Sequence, residues 1–299
     1  MLFSKTVQHY IVSISGGSHS AKTIRLYKDT LNKVVAAIGD QPLEEITIYQ
    51  LREWQANQNK RIQNEQMSVY SLERYINITK RFFRWCVEEE LLEKSPAERL
   101  ARPKIPKFKP PKAISDEDLA KMLDTAQKIS FRNYALVRFL ADTACRRGGI
   151  SNLRFKDLDL ANREATVYEK GMASRTVYFG ITTANILRAY LIAERGNYSD
   201  DDFVFVNRFG QQLTGNAIRL ILFRLGKLAD VTGPHNAHAF RHAWARRALQ
   251  KGMDLTRASR ILGHSSIRVT AQFYTCWTGK ELKQAHRQYD TLQYIGVKK

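Results

Sequence analysis

The chain has 299 residues, 43% hydrophobic and 10% aromatic, which is enough for two domains with buried cores. Lys and Arg number 48 against 29 Asp and Glu, and the resulting net charge of +19 predicts a polyanionic partner such as nucleic acid. The 3 cysteines are widely spaced and indicate neither a disulfide framework nor a zinc site. No apolar run reaches the roughly 18 residues of a membrane span, so we expect a cytoplasmic protein with no membrane partner.

The first hundred residues have the apolar periodicity of helices. Apolar residues between Ser20 and Gly39 recur at steps of three and four, and the glycine is a helix stop signal. Thr47 and Gln50 have the spacing of a capping box for a second helix. A third amphipathic helix is predicted from about Ser68 to Glu90. The basic face of this small helical domain, taken alone, is explained by a solvated helix surface.

A proline-rich basic stretch, "RPKIPKFKPPK" from Arg102 to Lys112, separates this domain from the rest of the chain. It contains 4 of the 7 prolines, which prevents regular structure and favours an extended linker. A solubilising spacer and a cationic strap along phosphates fit this composition equally well. The predicted organisation is a helical domain at 1–102, a linker at 103–113 and a second domain at 114–299.

The second domain begins with helical patterns and then changes its period. Ser115 is a predicted N-cap, and the apolar run "YALVRFLADTAC" leads to Arg146. The stretch 158–179 carries β-branched and aromatic residues around polar turns and predicts a small antiparallel sheet. Helical patterning returns from Thr182 onward. The predicted fold class is therefore mainly α with a small antiparallel β-sheet (α+β).

Several cationic and polar residues of this domain suggest a site for a phosphate. In "HAFRH", His238 and Arg241 are three residues apart, so on a helix they share a face and could bind one anion. The neighbouring histidines His235 and His242 are alternatives for the working histidine. Taken singly, each candidate also has a structural explanation, such as a helix cap, a solvated turn lysine, a core histidine or a tyrosine packed on its neighbour. The candidates in chain order are Arg146, Lys170, His238, Arg241, His264 and Tyr274.

This order of residues, with "EKGMASR" around the lysine and "LGHSS" before the tyrosine, resembles the tyrosine recombinase family of phage integrases and Xer-type resolvases. The resemblance covers nearly the whole chain and implies a helical core-binding domain followed by a catalytic domain. It implies that Arg146 and Arg241 clamp the scissile phosphate, Lys170 is the general acid, His238 the acid/base, His264 a phosphate hydrogen-bond donor and Tyr274 the nucleophile.

Elementary chemistry agrees with these implied roles. A phosphodiester resists attack because it is anionic, and two guanidinium groups can neutralise the charge that grows on its nonbridging oxygens. A free phenol has a pKa of about 10 and needs a base or a cationic field to become a nucleophile. A covalent 3′-phosphotyrosine conserves the energy of the broken bond, so rejoining needs no ATP. The sequence has no P-loop and no carboxylate cluster for metal ions, and we expect no cofactor and no metal.

The sequence departs from the family pattern at two places. An acidic residue usually stands three positions after the first arginine and supports the site, and here that position is Gly149. The spacing from His264 to Tyr274 is one residue longer than the commonest form, and Phe273 occupies the shorter position. Because phenylalanine has no hydroxyl, Tyr274 is the only candidate nucleophile there.

The resemblance also implies partners and leaves alternatives open. It implies double-stranded DNA, a homotetramer on two DNA sites, a location at the nucleoid, and room for accessory proteins that bend DNA or set direction. Gly149 favours a mobile-element integrase that integrates or excises DNA. The alternatives are a cellular Xer-type resolvase, a type IB-like topoisomerase and a DNA-binding regulator with impaired catalysis.

The excess of basic residues before and after the linker generates a prediction about binding. Each neutralised phosphate contributes a slope of about −0.9 to the logarithm of affinity against the logarithm of salt concentration. Duplex affinity should therefore fall steeply in anisotropy titrations at increasing KCl. An affinity nearly independent of salt would contradict a phosphate-clamping protein.

Overall fold

The computed structural model describes residues 1–105, 112–169, 174–264, 266–274 and 279–288, without the side chains of residues 273, 274, 280, 281, 284 and 285. The chain divides into two compact units, Met1–Phe108 and Lys109–Lys299. None of the helices in the described part of the chain combines the length and the apolar character that crossing a bilayer requires.

The first unit is helical. Its helices are α1 (Phe3–Ser15), α2 (Ala21–Ile38), α3 (Ile48–Gln63) and α4 (Val69–Glu88). The predicted capping box is confirmed, because the Thr47 side chain accepts from the Gln50 backbone while the Gln50 side chain accepts from the Thr47 backbone. The chain leaves α2 at Gly39, whose φ of 92° suits a residue without Cβ.

Helix α1 is an addition to the elements predicted from the sequence. Its residues Phe3, Val7 and Tyr10 are fully buried, at the spacing of one helical face. The Phe3 ring lies 5.6 Å from that of Phe82, and the Tyr10 ring meets Phe82 edge-on at 5.4 Å. The aromatic face of α4 therefore requires α1 to complete the core of this unit.

The second unit places a small sheet among helices. Its elements up to the sheet are α5 (Asp116–Ile129), α6 (Phe131–Thr143), α7 (Arg147–Ser151), β1 (Leu158–Asp159), β2 (Glu164–Tyr168) and β3 (Ser174–Tyr178). After the sheet follow α8 (Ile181–Tyr190), a π-helical turn (Leu191–Arg195), α9 (Gly215–Leu228), α10 (Ala237–Gln250), α11 (Leu255–Leu262), α12 (Ile267–Tyr274) and α13 (Gly279–Gln288). The mainly helical fold class with a small antiparallel sheet is confirmed.

The sheet has the strand order β1-β2-β3, and both pairs are antiparallel. In the β2–β3 pair, Ala165 faces Val177 and Val167 faces Arg175. Val167 and Val177 are fully buried and join the core of this unit, which includes Phe139 of α6. The inner side of the β2–β3 pair is thus anchored in the core.

Gly149 lies where α7 packs against the sheet. A Cβ at this position would be 2.8 Å from Cys145 Sγ and 3.2 Å from Val167 Cβ. Cys145 and Val167 are both fully buried, so neither can move away without disturbing the core. The departure from the acidic residue of the family pattern therefore has a steric reason.

This contact predicts the effect of two neighbouring substitutions. Gly149→Ala should lower the free energy of unfolding by about 1–3 kcal/mol, because the added methyl overpacks the core. Gly148→Ala in the same helix is the matched control, since nothing lies within 4 Å of its Cβ position. Urea denaturation of both variants measures the difference. Equal stability of the two variants would contradict tight packing at Gly149.

Candidate active site

The C-terminal end of α11 is the structural centre of the candidate site. Gly263 follows the helix in the left-handed conformation, with φ 63° and ψ 46°. Its N–H donates to Arg260 O at 2.9 Å, and the His264 N–H donates to Ser259 O at 3.1 Å. These two bonds form a Schellman motif, which ends the helix and directs the chain into His264. The glycine directly before His264 in "LGH" is therefore explained by the way in which this helix ends.

Three arginines from distant segments bond to three consecutive carbonyls at this helix end. Arg175 Nη1 donates to Ile261 O, Arg241 Nη2 donates to Leu262 O, and Arg146 Nη2 donates to Gly263 O at 3.2 Å. Carbonyls at a helix C-terminus lack partners within the helix and carry partial negative charge, so cations are stabilised there. The helix end therefore gathers guanidinium groups from α10, β3 and the start of α7.

The two arginines predicted from the sequence differ in exposure. Arg241 is 3% exposed, and its Nη1 also donates to Ala144 O at 3.0 Å. Arg146 is the N-cap residue of α7, and 35% of its side chain is exposed. Burial and the charge of Arg175 lower the pKa of Arg146 from its usual value, although a guanidinium stays protonated. Arg146 therefore combines a fixed position with access to solvent.

Arg146, Arg175 and Arg241, with Glu169 between the first two, form an arginine cluster at the end of α11. Arg175 and Glu169 were not predicted from the sequence. The Glu169 carboxylate, only 8% exposed, accepts from Arg146 Nη1 through one oxygen and from Arg175 Nη2 at 3.3 Å through the other. Arg175 itself is 12% exposed. One feature of the sequence could have indicated Arg175. It alternates with Val177 in β3 and so lies on the inner side of the strand, where a desolvated arginine needs a partner.

Two of the candidate histidines at and before α10, His238 and His235, have different surroundings. His238 follows the N-cap Asn236, whose side chain accepts from the His238 and Ala239 backbone N–H groups at 3.0 and 3.1 Å. Burial, Arg241 and Arg146 lower the pKa of His238. His235 instead pairs its Nδ1 with Gly233 O at 2.9 Å and packs directly over Gly226. Of these two, His238 is the one that lies in the field of the arginines.

His264 is oriented by the next helix. Its Nδ1 lies 2.7 Å from Oγ1 of Thr270, a fully buried residue of α12. Burial, followed by the charges of Arg241 and Arg146, lowers the His264 pKa to about 4, so the ring is neutral at neutral pH. When the threonine hydroxyl donates to Nδ1, the neutral ring carries its proton on Nε2, which is the tautomer that a hydrogen-bond donor to a phosphate requires.

Two of the predicted residues are described only in part or not at all. Tyr274 is the last residue of α12, one helical turn after Thr270, and its side chain lies outside the described part of the chain. Lys170 lies outside the described residues, in the segment that joins β2 to β3. Arg146, Arg241, His238 and His264 are brought together, and the roles of all six residues remain predictions.

Comparison with known proteins identifies the family of the chain. Residues 112–279 match the phage integrase family, and the chain belongs to that family. It is similar to tyrosine recombinase XerC of Oceanobacillus iheyensis, with 32% identity over 231 residues, which cover 74% of this chain and 75% of the relative. The family resemblance seen in the sequence is thereby confirmed.

Two solved structures share the fold. One is the Tn1549 transposon integrase in complex with a circular intermediate DNA, with a TM-score of 0.77 and 18% identity, covering 96% of this chain and 99% of that chain. The other is a lambda integrase tetramer bound to a Holliday junction, with a TM-score of 0.76 and 16% identity, covering 92% of this chain and 77% of that chain. At these identities the likeness establishes the architecture.

The cationic surroundings of the histidines predict a pH dependence of stability. Burial, His238 and Arg241 lower the pKa of His242 from 6.5 to about 4. The unfolded chain therefore takes up this proton first, so the contribution to stability is complete above pH 6.5 and is lost as the pH falls towards 4. His242→Gln should make the loss of stability between pH 6.5 and 4.5 shallower.

Urea denaturation at several pH values measures this slope in both proteins. The difference should stay below the ~1.4 kcal/mol per pH unit of a full proton, since the ring is only half-buried and solvent screens it. Parallel slopes for the two proteins would contradict the lowered pKa.

Proposed function

We propose that this protein is a site-specific DNA recombinase that cuts and rejoins DNA through a covalent 3′-phosphotyrosine intermediate. The observation that best supports the proposal is the convergence of Arg146, Arg241 and His264 at the end of α11, beside the helix that ends at Tyr274. In a chain of the phage integrase family, this arrangement has the charge and donors that a scissile phosphate needs.

The arginines and His264 bind the phosphate in this proposal. Two guanidinium groups that are already fixed by helix carbonyls neutralise the nonbridging oxygens without reorganising during the reaction. His264, with its proton on Nε2, donates a further hydrogen bond to one of these oxygens. The burial of Arg241 supports the proposal, because charge stabilisation is stronger where water is excluded.

Tyr274 is the nucleophile and His238 its proton acceptor. The Tyr274 hydroxyl attacks the phosphorus, a P–O bond to tyrosine forms, and the phenolic proton passes to His238. The lowered pKa of His238 supports a neutral imidazole that can accept this proton at neutral pH. The surrounding guanidinium charge also favours the phenolate form of the tyrosine.

Lys170 completes the reaction as the general acid. As the bond between phosphorus and the 5′-oxygen breaks, the lysine ammonium protonates that oxygen, and a 5′-hydroxyl leaves. A 5′-hydroxyl of another strand then attacks the phosphotyrosine and gives its proton to the neutral Lys170. The bond between phosphorus and tyrosine breaks, His238 returns its proton to the tyrosine oxygen, and the strands are joined. Each step replaces one phosphodiester with another, so no external energy source is consumed.

The substrate in this proposal is double-stranded DNA, and the active form is a homotetramer on two DNA sites. The shared fold with a lambda integrase tetramer bound to a Holliday junction supports this assembly. The net charge of +19 supports an extended contact with the DNA backbone. Accessory proteins that bend DNA or set direction, and a location at the nucleoid, are part of the same proposal.

Integration and excision of a mobile element is the proposed biological role, and an Xer-type resolvase is the second candidate. The first is supported by the departure at Gly149, and the second by the 32% identity to XerC. Sequencing genomic fragments that stay attached to the denatured protein separates them. Paired sites at the ends of one DNA segment support an element integrase, whereas a single chromosomal site supports a resolvase.

The proposed roles of Tyr274 and Lys170 generate a paired prediction. A nicked suicide duplex should leave protein attached to a DNA 3′ end, and Tyr274→Phe should abolish this adduct while DNA binding persists, since only the hydroxyl is lost. Lys170→Ala should cleave normal DNA severely slowly, because the 5′-alkoxide leaves poorly without a proton.

A duplex with sulfur at the bridging 5′ position distinguishes the two roles. Sulfur is a better leaving group, so Lys170→Ala should recover most of its cleavage rate on it, whereas Tyr274→Phe should not recover. Denaturing gel electrophoresis measures the adduct in each case. An adduct that persists in Tyr274→Phe would overturn the nucleophile assignment, and binding without any adduct in the unmodified protein would favour a regulator.

A further inference from the structure

Glu169 is a buried carboxylate at the centre of the arginine cluster. It accepts from Arg146 Nη1, from Arg175 Nη2 at 3.3 Å and, more weakly, from the Arg146 backbone N–H at 3.4 Å. Its side chain is 8% exposed, whereas 35% of the Arg146 side chain is exposed. The carboxylate therefore lies behind the guanidinium of Arg146, which stays accessible to a phosphate.

The position that usually carries an acidic residue cannot carry one here. A side chain at Gly149 would collide with Cys145 Sγ at 2.8 Å and with Val167 Cβ at 3.2 Å, both in the buried core. The carboxylate at the cluster comes instead from the end of β2, 20 positions further along the chain than Gly149. The glycine at position 149 lets α7 pack closely on β2, and the residue that follows β2, Glu169, supplies the carboxylate.

The cluster also needs a negative charge for electrostatic reasons. Arg146, Arg175 and Arg241 all donate to the same short stretch, residues 261–263, so their charges repel one another at close range. Helix carbonyls supply only partial charges. A full carboxylate between Arg146 and Arg175 offsets part of this repulsion and fixes the torsions of both side chains.

We propose that Glu169 is the positioning residue of this active site, orienting Arg146 towards the scissile phosphate in place of an acidic residue at position 149. Glu169 acts through Arg146 and does not touch the reacting atoms. The inference rests on the proposed recombinase function and adds a specific requirement for a carboxylate at the end of β2.

Glu169→Gln tests this role, because it keeps the shape and removes the charge. Glu169→Asp keeps the charge on a shorter side chain and should retain more activity than the glutamine variant. Glu164→Gln, at the other end of β2, is the matched control and should cleave like the unmodified protein. Single-turnover cleavage of a nicked suicide duplex gives the rate, anisotropy gives DNA affinity, and thermal melting monitors folding.

We expect Glu169→Gln to slow cleavage by about 10- to 100-fold, by analogy with the loss found when a residue that orients a metal ligand is removed. DNA affinity should stay unchanged, because Arg146 contributes one phosphate contact among many. Cleavage as fast as that of the unmodified protein would overturn the proposal. Faster cleavage would also overturn it, since it would show that Glu169 competes with the phosphate for Arg146.

A substrate with a methylphosphonate at the scissile position separates positioning from loss of folded protein. This group has an uncharged methyl in place of one nonbridging oxygen and is neutral, so correct placement of Arg146 contributes less to its cleavage. The defect of Glu169→Gln should therefore shrink on the methylphosphonate, whereas a smaller folded fraction would reduce both rates equally. An equal defect on both substrates would overturn the positioning role.

The unmodified protein distinguishes this inference from the proposed function. If it forms the 3′ adduct and Glu169→Gln matches it, the positioning role alone fails. If the unmodified protein forms no adduct on any duplex that it binds, the recombinase proposal fails and the role of Glu169 falls with it.

Discussion

The unsatisfied carbonyls at the C-terminal end of α11 are the constraint on which the rest of the site depends. A helix end must find hydrogen-bond donors outside the helix, and here the donors for Ile261, Leu262 and Gly263 are three guanidinium groups. Two features require a residue without a side chain at position 263, its backbone conformation and the close approach of Arg175. Its φ is 63°, and a Cβ there would lie 2.6 Å from Arg175 Cδ. One backbone feature therefore fixes both the turn into His264 and the approach of an arginine.

Burial, together with the positive charge of the arginines, keeps the neighbouring histidines neutral. The His264 and His242 pKa values fall to about 4, first through burial and then through neighbouring charges that include Arg241. A neutral imidazole can donate a hydrogen bond through one nitrogen and accept a proton at the other. Without a bound anion, the positive charge of the arginines disfavours protonation of the histidines. In the proposed reaction a bound phosphate would offset this field, so the geometry that keeps the histidines neutral also suits the binding of an anion.

The fold class could be predicted from the sequence, because helix periods and caps are local signals, and ordered motifs gave the candidate site residues. The capping box at Thr47 and the stop glycine after α2, Gly39, are examples. Helix α1 was missed although Phe3, Val7 and Tyr10 lie on one face, since the run is short and its burial depends on α4. Glu169 and Arg175 were missed for a related reason: a charged residue in or beside a strand has no sequence signature of its partner.

The residues of the candidate site are far apart in the sequence, so the site forms only when the whole unit folds. Arg146 and Gly263 are 117 positions apart, and Arg241 and Ala144 are 97 apart, so no local segment can form the cluster alone. The helix that ends at Tyr274 joins the same unit through the bond between His264 and Thr270. Closing such distant contacts costs chain entropy that only a complete core repays. The arginines therefore converge only when α10, the β2–β3 strand pair and α11 are all packed, and a partly folded chain should have no assembled arginine cluster.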